Sequence, residues 1–193
     1  HNDLEYLEKT LKETKDQYQT RLVIIDGVYS QDGDLSLLPE IISLCKTHEA
    51  MLMLDDAHGI GVMGANGRGT AEHFNCLGQV DIITGTFSKS FGCVGGFAAA
   101  SKKIIQYLKF YADSNVFSAA PTPQVTASIL KALEIIKKEP AIRARLWENT
   151  DYLRSRLTTE GFDIGKSVSP IFPIMIRAVS YTHLRAHETP EHL

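Results

Sequence analysis

Chemistry that needs paired cysteines, a strongly charged surface or a long apolar run is closed to this chain of 193 residues. Its three cysteines, Cys45, Cys76 and Cys93, form no CxxC pair and have no metal-ligand spacing. An odd, scattered set excludes a disulfide-stapled scaffold and reads as reduced thiols in a cytoplasmic compartment. A formal net charge of −3 offers no basic surface for nucleic acid and does not indicate membrane association. No stretch approaches the ~18 apolar residues of a membrane-spanning helix, and the first residues are polar rather than signal-like. What remains, with hydrophobic residues at 44% and charged residues at 22%, is the composition of a soluble globular protein.

Apolar runs alternate with helical periodicity. Leu4, Leu7, Leu11 and Tyr18 recur at helical spacing and predict an amphipathic helix over 3–19. Leu22-Val23-Ile24-Ile25 reads as a strand buried on both faces. Pro39 opens a helix to about His48, with Ile41, Ile42 and Cys45 inward. Met51–Leu54, Ile82-Ile83 and Gly95–Ala100 are further strands, and a helix follows over Ser101–Tyr111. From Pro123 to about Glu160 the pattern is helical with a break at Pro140, and Gly161 to Ile176 reads as the start of a second αβ unit. Strands joined by helices predict an α/β fold with a mostly parallel sheet. In such sheets ligands bind beyond the carboxyl ends of the strands, and those ends carry Asp26, Asp55 and the segment Thr86–Lys89.

Lys89 stands among small and hydroxyl residues in Thr86-Phe87-Ser88-Lys89-Ser90-Phe91-Gly92. Taken alone, it is a surface lysine in a turn. Held away from water it is pushed toward the neutral amine, which forms Schiff bases with carbonyls. Asp55-Asp56-Ala57-His58 is by itself a turn or a helix cap, and its spacing to His73 and Cys76 fits no metal site. Together the parts match the needs of a pyridinium cofactor. Lys89 serves its aldehyde, Asp55 its ring nitrogen, His58 its phenolic oxygen, and Thr86 with Ser88 its phosphate. Phe87 and Phe91 read as core rather than as a stacking surface.

Three segments carry a resemblance: Asp26-Gly27-Val28-Tyr29-Ser30-x-Asp32-Gly33, the glycine-rich run from Asp55 to Gly69, and Gly85-Thr86-Phe87-Ser88-Lys89-Ser90. In order and spacing they resemble the α-oxoamine synthases, over about His1 to Arg177. The resemblance implies a three-layer fold of the aspartate-aminotransferase (fold type I) kind, with pyridoxal 5′-phosphate as cofactor. It implies decarboxylative condensation of an amino acid with an acyl-CoA, releasing CoA and carbon dioxide and leaving an α-amino ketone. On it, Lys89 bonds the cofactor aldehyde and later acts as base, Asp55 partners the pyridine nitrogen, His58 donates to the phenolic oxygen, and Thr86 holds phosphate. Ser30 lies beside the cofactor, Asp26 near the substrate, and Ser118 reaches the cofactor phosphate of the neighbouring subunit in a homodimer with shared sites. Ala119 departs from the Ser-Thr pair of several relatives. The alternatives are another fold-type-I enzyme (an aminotransferase or lyase), a non-catalytic partner subunit, and a metal-dependent hydrolase using Asp55, His58 and His73.

The expected division is 1–145, the later part of the large cofactor-binding domain; 146–178, the start of the small domain; and 179–193, a non-native tail. The family's large domain begins before His1 and its small domain continues beyond Arg177, so the expectation is a chain truncated at both ends and inactive alone. The tail holds three of the seven histidines and no lysine. It resembles the conceptual translation of a transposon-end sequencing adaptor, an expectation that source DNA lacking such an adaptor would overturn.

Overall fold

Asp3 starts the described fold by accepting the Tyr6 N–H at 2.8 Å, capping helix α1 (Leu4–Glu13). A computed structural model describes residues 1–175. Expectations placed on Ile176, Arg177 and residues 178–193 lie outside the described residues. Helix α1 ends six residues earlier than the spacing predicts. Between Leu11 and Tyr18 the sequence offers no apolar side chain to bury, and Tyr18 stands exposed.

The remaining elements are β1 (Leu22–Asp26), α2 (Leu38–Thr47), β2 (Met51–Asp55), the single turn α3 (Thr70–His73), β3 (Ile82–Thr86), β4 (Gly96–Ala100), α4 (Lys102–Tyr111), the short α5 (Asp113–Val116), α6 (Pro123–Lys138) and α7 (Pro140–Thr159). Their strands form one sheet in the order β1-β2-β3-β4. The first three run parallel and β4 is antiparallel to β3. Parallel neighbours need crossover connections, and α2 supplies one between β1 and β2.

That crossover makes the core. Leu38, Ile41, Ile42 and Cys45 of α2 pack on Leu52 and Leu54 of β2, with Ala71 and Cys76 closing one end. Asp81 seats β3 beside β2 by accepting the Leu52 N–H at 2.8 Å. Only one face of β1 joins this core. Leu22 is 44% exposed and Ile24 62% exposed, whereas Val23 and Ile25 pack inward. The two-sided burial read from the apolar run is therefore corrected, because β1 is an edge strand covered from one side among the described residues.

Proline breaks the last two helices where expected. Thr122 caps α6 with Pro123 in its first turn, and Pro140 starts α7 with only Glu139 between the two helices. Beyond α7, residues 161–175 form no strand, which corrects the predicted αβ unit. Pro170 and Pro173 lack N–H donors, and the segment instead lies against the first βα loop: the Val168 and Ser169 N–H groups both donate to the Gly33 carbonyl at 3.1 Å. Among the described residues no helix is long and apolar enough to cross a membrane.

Candidate active site

Register sets the base of the site. Asp26 pairs with Asp55 across β1 and β2, and Asp55 with Thr84 across β2 and β3. The two carboxylates therefore stand side by side where parallel strands end. Asp55 Oδ1 accepts the Ala57 N–H at 3.0 Å, turning the carboxylate over the start of the next loop. Beside it, the buried Thr84 Oγ1 has no hydrogen-bond partner among the described residues.

The β2–α3 loop brings His58 to this row. Asp56 anchors the turn: its carbonyl accepts the Gly59 and Ile60 N–H groups at 3.0 and 2.9 Å, and its own N–H donates to Thr84 at 2.8 Å. At Gly69 the backbone takes a φ of 92°, and a Cβ there would overlap the Asp56 carboxylate. Glycine is thus the residue that fits on both counts. Helix α7 grips the far side of the loop. Trp147 Nε1 donates to the Val62 carbonyl at 3.1 Å, and Arg143 donates to that of Ala65.

The third strand end carries the lysine. Thr86 Oγ1 donates to the Gly95 carbonyl at 3.1 Å and accepts from Ser88, through the hydroxyl at 2.7 Å and the N–H at 3.1 Å. Ser90 Oγ donates to the Ile60 carbonyl at 2.7 Å. A cleft of about 120 Å³ results, lined by Val28, His58, Lys89, Ser90, Ser169 and Ile171. A larger apolar cavity of about 710 Å³ holds none of Lys89, His58 or Asp55. Phe87 and Phe91 line that cavity and meet edge to face at 5.2 Å, away from the ionisable row.

Electrostatics couple the same residues. Burial holds the His58 imidazole below its ordinary value and Lys89 adds to this, while Asp26 and Asp55 oppose both. Asp26, though open to solvent, is held above the usual carboxylate range, first by partial desolvation and then by Asp55; His58 and Lys89 pull it back. Desolvation, followed by Asp26 and Asp34, raises Tyr29.

The structure thus assembles Asp55, His58, Thr86, Ser88 and Lys89 at consecutive strand ends. One expectation is corrected: Lys89 is exposed, so the described residues alone do not shield its amine. Ser30 is exposed on the first loop, and no described hydrogen bond joins Ser118, beyond α5, to the strand ends. His73 is exposed on α3, and Asp55, His58 and His73 form no metal-ligating group among the described residues. Sequence reasoning missed Ser90, Trp147, Arg143 and the Ser169–Ile171 wall. Only Ser90 had a local signal, its place directly after Lys89.

The profile of the family described as aminotransferase class I and II matches residues 1–188, running past the expected start of the tail at 179. The chain belongs to the aminotransferase class I and II family. Among its relatives, 8-amino-7-oxononanoate synthase of Thermoanaerobacter pseudethanolicus is 43% identical over 176 residues, 91% of this chain and 45% of the relative. Serine palmitoyltransferase of Bacteroides ovatus is 46% identical over 184 residues, 95% of this chain and 46% of the relative. A solved serine palmitoyltransferase from S. paucimobilis superposes with a TM-score of 0.86 at 32% identity, covering 93% of this chain and 47% of that one. The chain spans about half the length of the curated relatives it matches. These findings bear out the resemblance read from the three motifs and the fold-type-I architecture, with its mostly parallel sheet and flanking helices. Other serine palmitoyltransferase structures in this class I and II group were solved with PLP.

Proposed function

We propose that the complete protein is a pyridoxal 5′-phosphate-dependent acyltransferase of the α-oxoamine synthase type, joining an amino acid to an acyl-CoA with loss of CoA and carbon dioxide. One observation carries this reading: Lys89 and His58 line a single cleft, and Asp55 ends the strand that leads to His58 and lies between those leading from Asp26 and to Lys89. The donor set fits the cofactor. An amine, an imidazole, a carboxylate and paired hydroxyls meet at successive strand ends, and the Thr84 hydroxyl, unpartnered among the described residues, adds a polar atom in the same row.

When bound, pyridoxal phosphate supplies an electron sink for a bond broken at the amino acid's Cα. Asp55, as a carboxylate, stabilises a protonated ring nitrogen. His58 donates to the phenolic oxygen. Thr86 and Ser88 offer hydroxyls to phosphate, with Ser118 of a second copy completing that contact and Ser30 flanking the ring. Lys89 would hold the cofactor through its aldehyde, and its Nζ would be the base that takes a proton from the amino acid's Cα. Asp26 orients the incoming amino acid. Residues 1–145 belong to the large domain and 146–178 open the small one. The protein works as a cytoplasmic homodimer.

The test uses the complete gene. Added pyridoxal phosphate gives an absorbance band that Lys89→Ala abolishes, and amino acid plus acyl-CoA releases free thiol. Absence of the band from the unmodified protein refutes the cofactor assignment. Transamination without thiol release favours an aminotransferase instead.

A further inference from the structure

Asp56 has no role in the chemistry just proposed, yet it is the only charged side chain fully buried among the described residues, at 0% exposed. Both of its oxygens are engaged by one residue fourteen positions on. Oδ2 accepts the Thr70 N–H at 2.7 Å and Oδ1 accepts the Thr70 hydroxyl at 2.6 Å. Burial raises this carboxyl above the usual range, the two Thr70 bonds draw it back down, and Asp55 raises it. Among the described residues no cation offsets the desolvation, and the two hydrogen bonds from Thr70 hold a group that an apolar side chain could replace at lower cost.

The surrounding chain is cleared for this carboxylate. A Cβ on Gly27, at the exit of β1, would meet Thr70 Oγ1 at 2.5 Å and Asp56 Oδ1 at 2.6 Å. A Cβ on Gly59 or Gly69 would overlap the carboxylate itself. Three glycines, one at a strand end and two near opposite ends of one loop, thus converge on a single acid. His58 lies inside the turn that Asp56 closes, and Asp55 precedes it directly.

We propose that Asp56 and Thr70 are positioning residues, whose paired hydrogen bonds close residues 56–70 at their base and so hold His58 and Asp55 in their setting toward Lys89. The catalytic part of this inference rests on the function proposed above. The clasp acts through backbone placement, since neither residue lines the cleft.

The test compares the full-length protein with Thr70→Val, which deletes the hydroxyl at constant shape, Thr70→Ser, which restores it, and Asp56→Asn. The first readout is the pH titration of the His58 imidazole by NMR in cofactor-free protein. The charges that act on His58 (Asp26, Asp55 and Lys89) are kept in every variant. Thr70→Val loosens the loop, hydrates the ring and moves its midpoint up toward the ordinary value, while Thr70→Ser keeps the parent midpoint. The second readout is kinetic. In Thr70→Val and Asp56→Asn, kcat falls by at least about tenfold with KM held within about twofold, the mark of a group acting on the reaction rather than on binding. Thr70→Ser keeps the parent kcat. An unchanged His58 midpoint in Thr70→Val overturns the proposal, as does a kcat loss that only tracks the unfolded fraction. If Asp56→Asn does not fold, the threonine pair decides. A moved midpoint in a protein that forms no cofactor band refutes the catalytic reading alone. A band with an unmoved midpoint refutes the clasp alone.

Discussion

Ser90 Oγ donates to the Ile60 carbonyl at 2.7 Å, tying the loop that carries Lys89 to the loop that carries His58. Thirty residues separate the two, and they come from different strand ends. The bond holds the amine and the imidazole on one cleft.

Ser90→Ala removes that tie and leaves the Ile60 carbonyl to water. The expected loss is about 1 kcal/mol of unfolding free energy, read by urea denaturation. Gly61→Ala acts from the other side and is more damaging, since its φ is +82° and the new Cβ would lie 2.7 Å from the Ser90 Cβ. Equal stability of both variants with the parent would show the tie to be idle.

Core and edge should separate sharply in mutagenesis. Leu54, fully enclosed between α2 and the sheet, loses about 2–5 kcal/mol as Leu54→Ala. Ile24→Ala, on the open face of β1, stays within about 0.5 kcal/mol. Chemical denaturation of the two variants checks the contrast, and comparable losses would contradict the one-sided burial of β1.

The depressed His58 imidazole has a signed consequence for stability. A group whose folded value lies below its unfolded one favours the fold above the unfolded value, ~6.5, and loses that contribution as pH falls through the folded value. Unfolding free energy should therefore drop on acidification below about pH 6.5 more steeply in the parent than in His58→Gln. Parallel curves for the two proteins would be the contrary result.

Cys45, with its thiol pushed up to about 11 by burial and by Asp81, should resist alkylation in the native protein near neutral pH. Cys93, only half-buried, should label first, with Cys45 following on addition of denaturant. Mass spectrometry of iodoacetamide adducts distinguishes the sites, and early modification of Cys45 would refute its enclosure.

Much of this site was legible because its parts follow a local rule. Asp55 comes directly after a buried apolar run, Lys89 three residues after β3, and Pro123 and Pro140 mark the two long helices. What stayed hidden depends on contacts between distant segments. The Asp56–Thr70 clasp spans a loop whose glycines gave no hint of a common acid. The Ser169–Ile171 wall reaches the cleft only because the chain folds back onto Gly33, so an apolar run read as a strand became an unpaired segment. The apolar letters of β1 do not say which neighbours exist, and half of them face outward. Small flanking residues around Lys89 likewise signalled close approach without supplying the cover that shields an amine.

The chain has one tryptophan, and its ring nitrogen donates to Val62 in the loop beyond His58. Intrinsic emission therefore originates at a single seam between α7 and that loop. Any event that shifts the loop registers as a change in one chromophore, with no label to attach and no second indole to subtract.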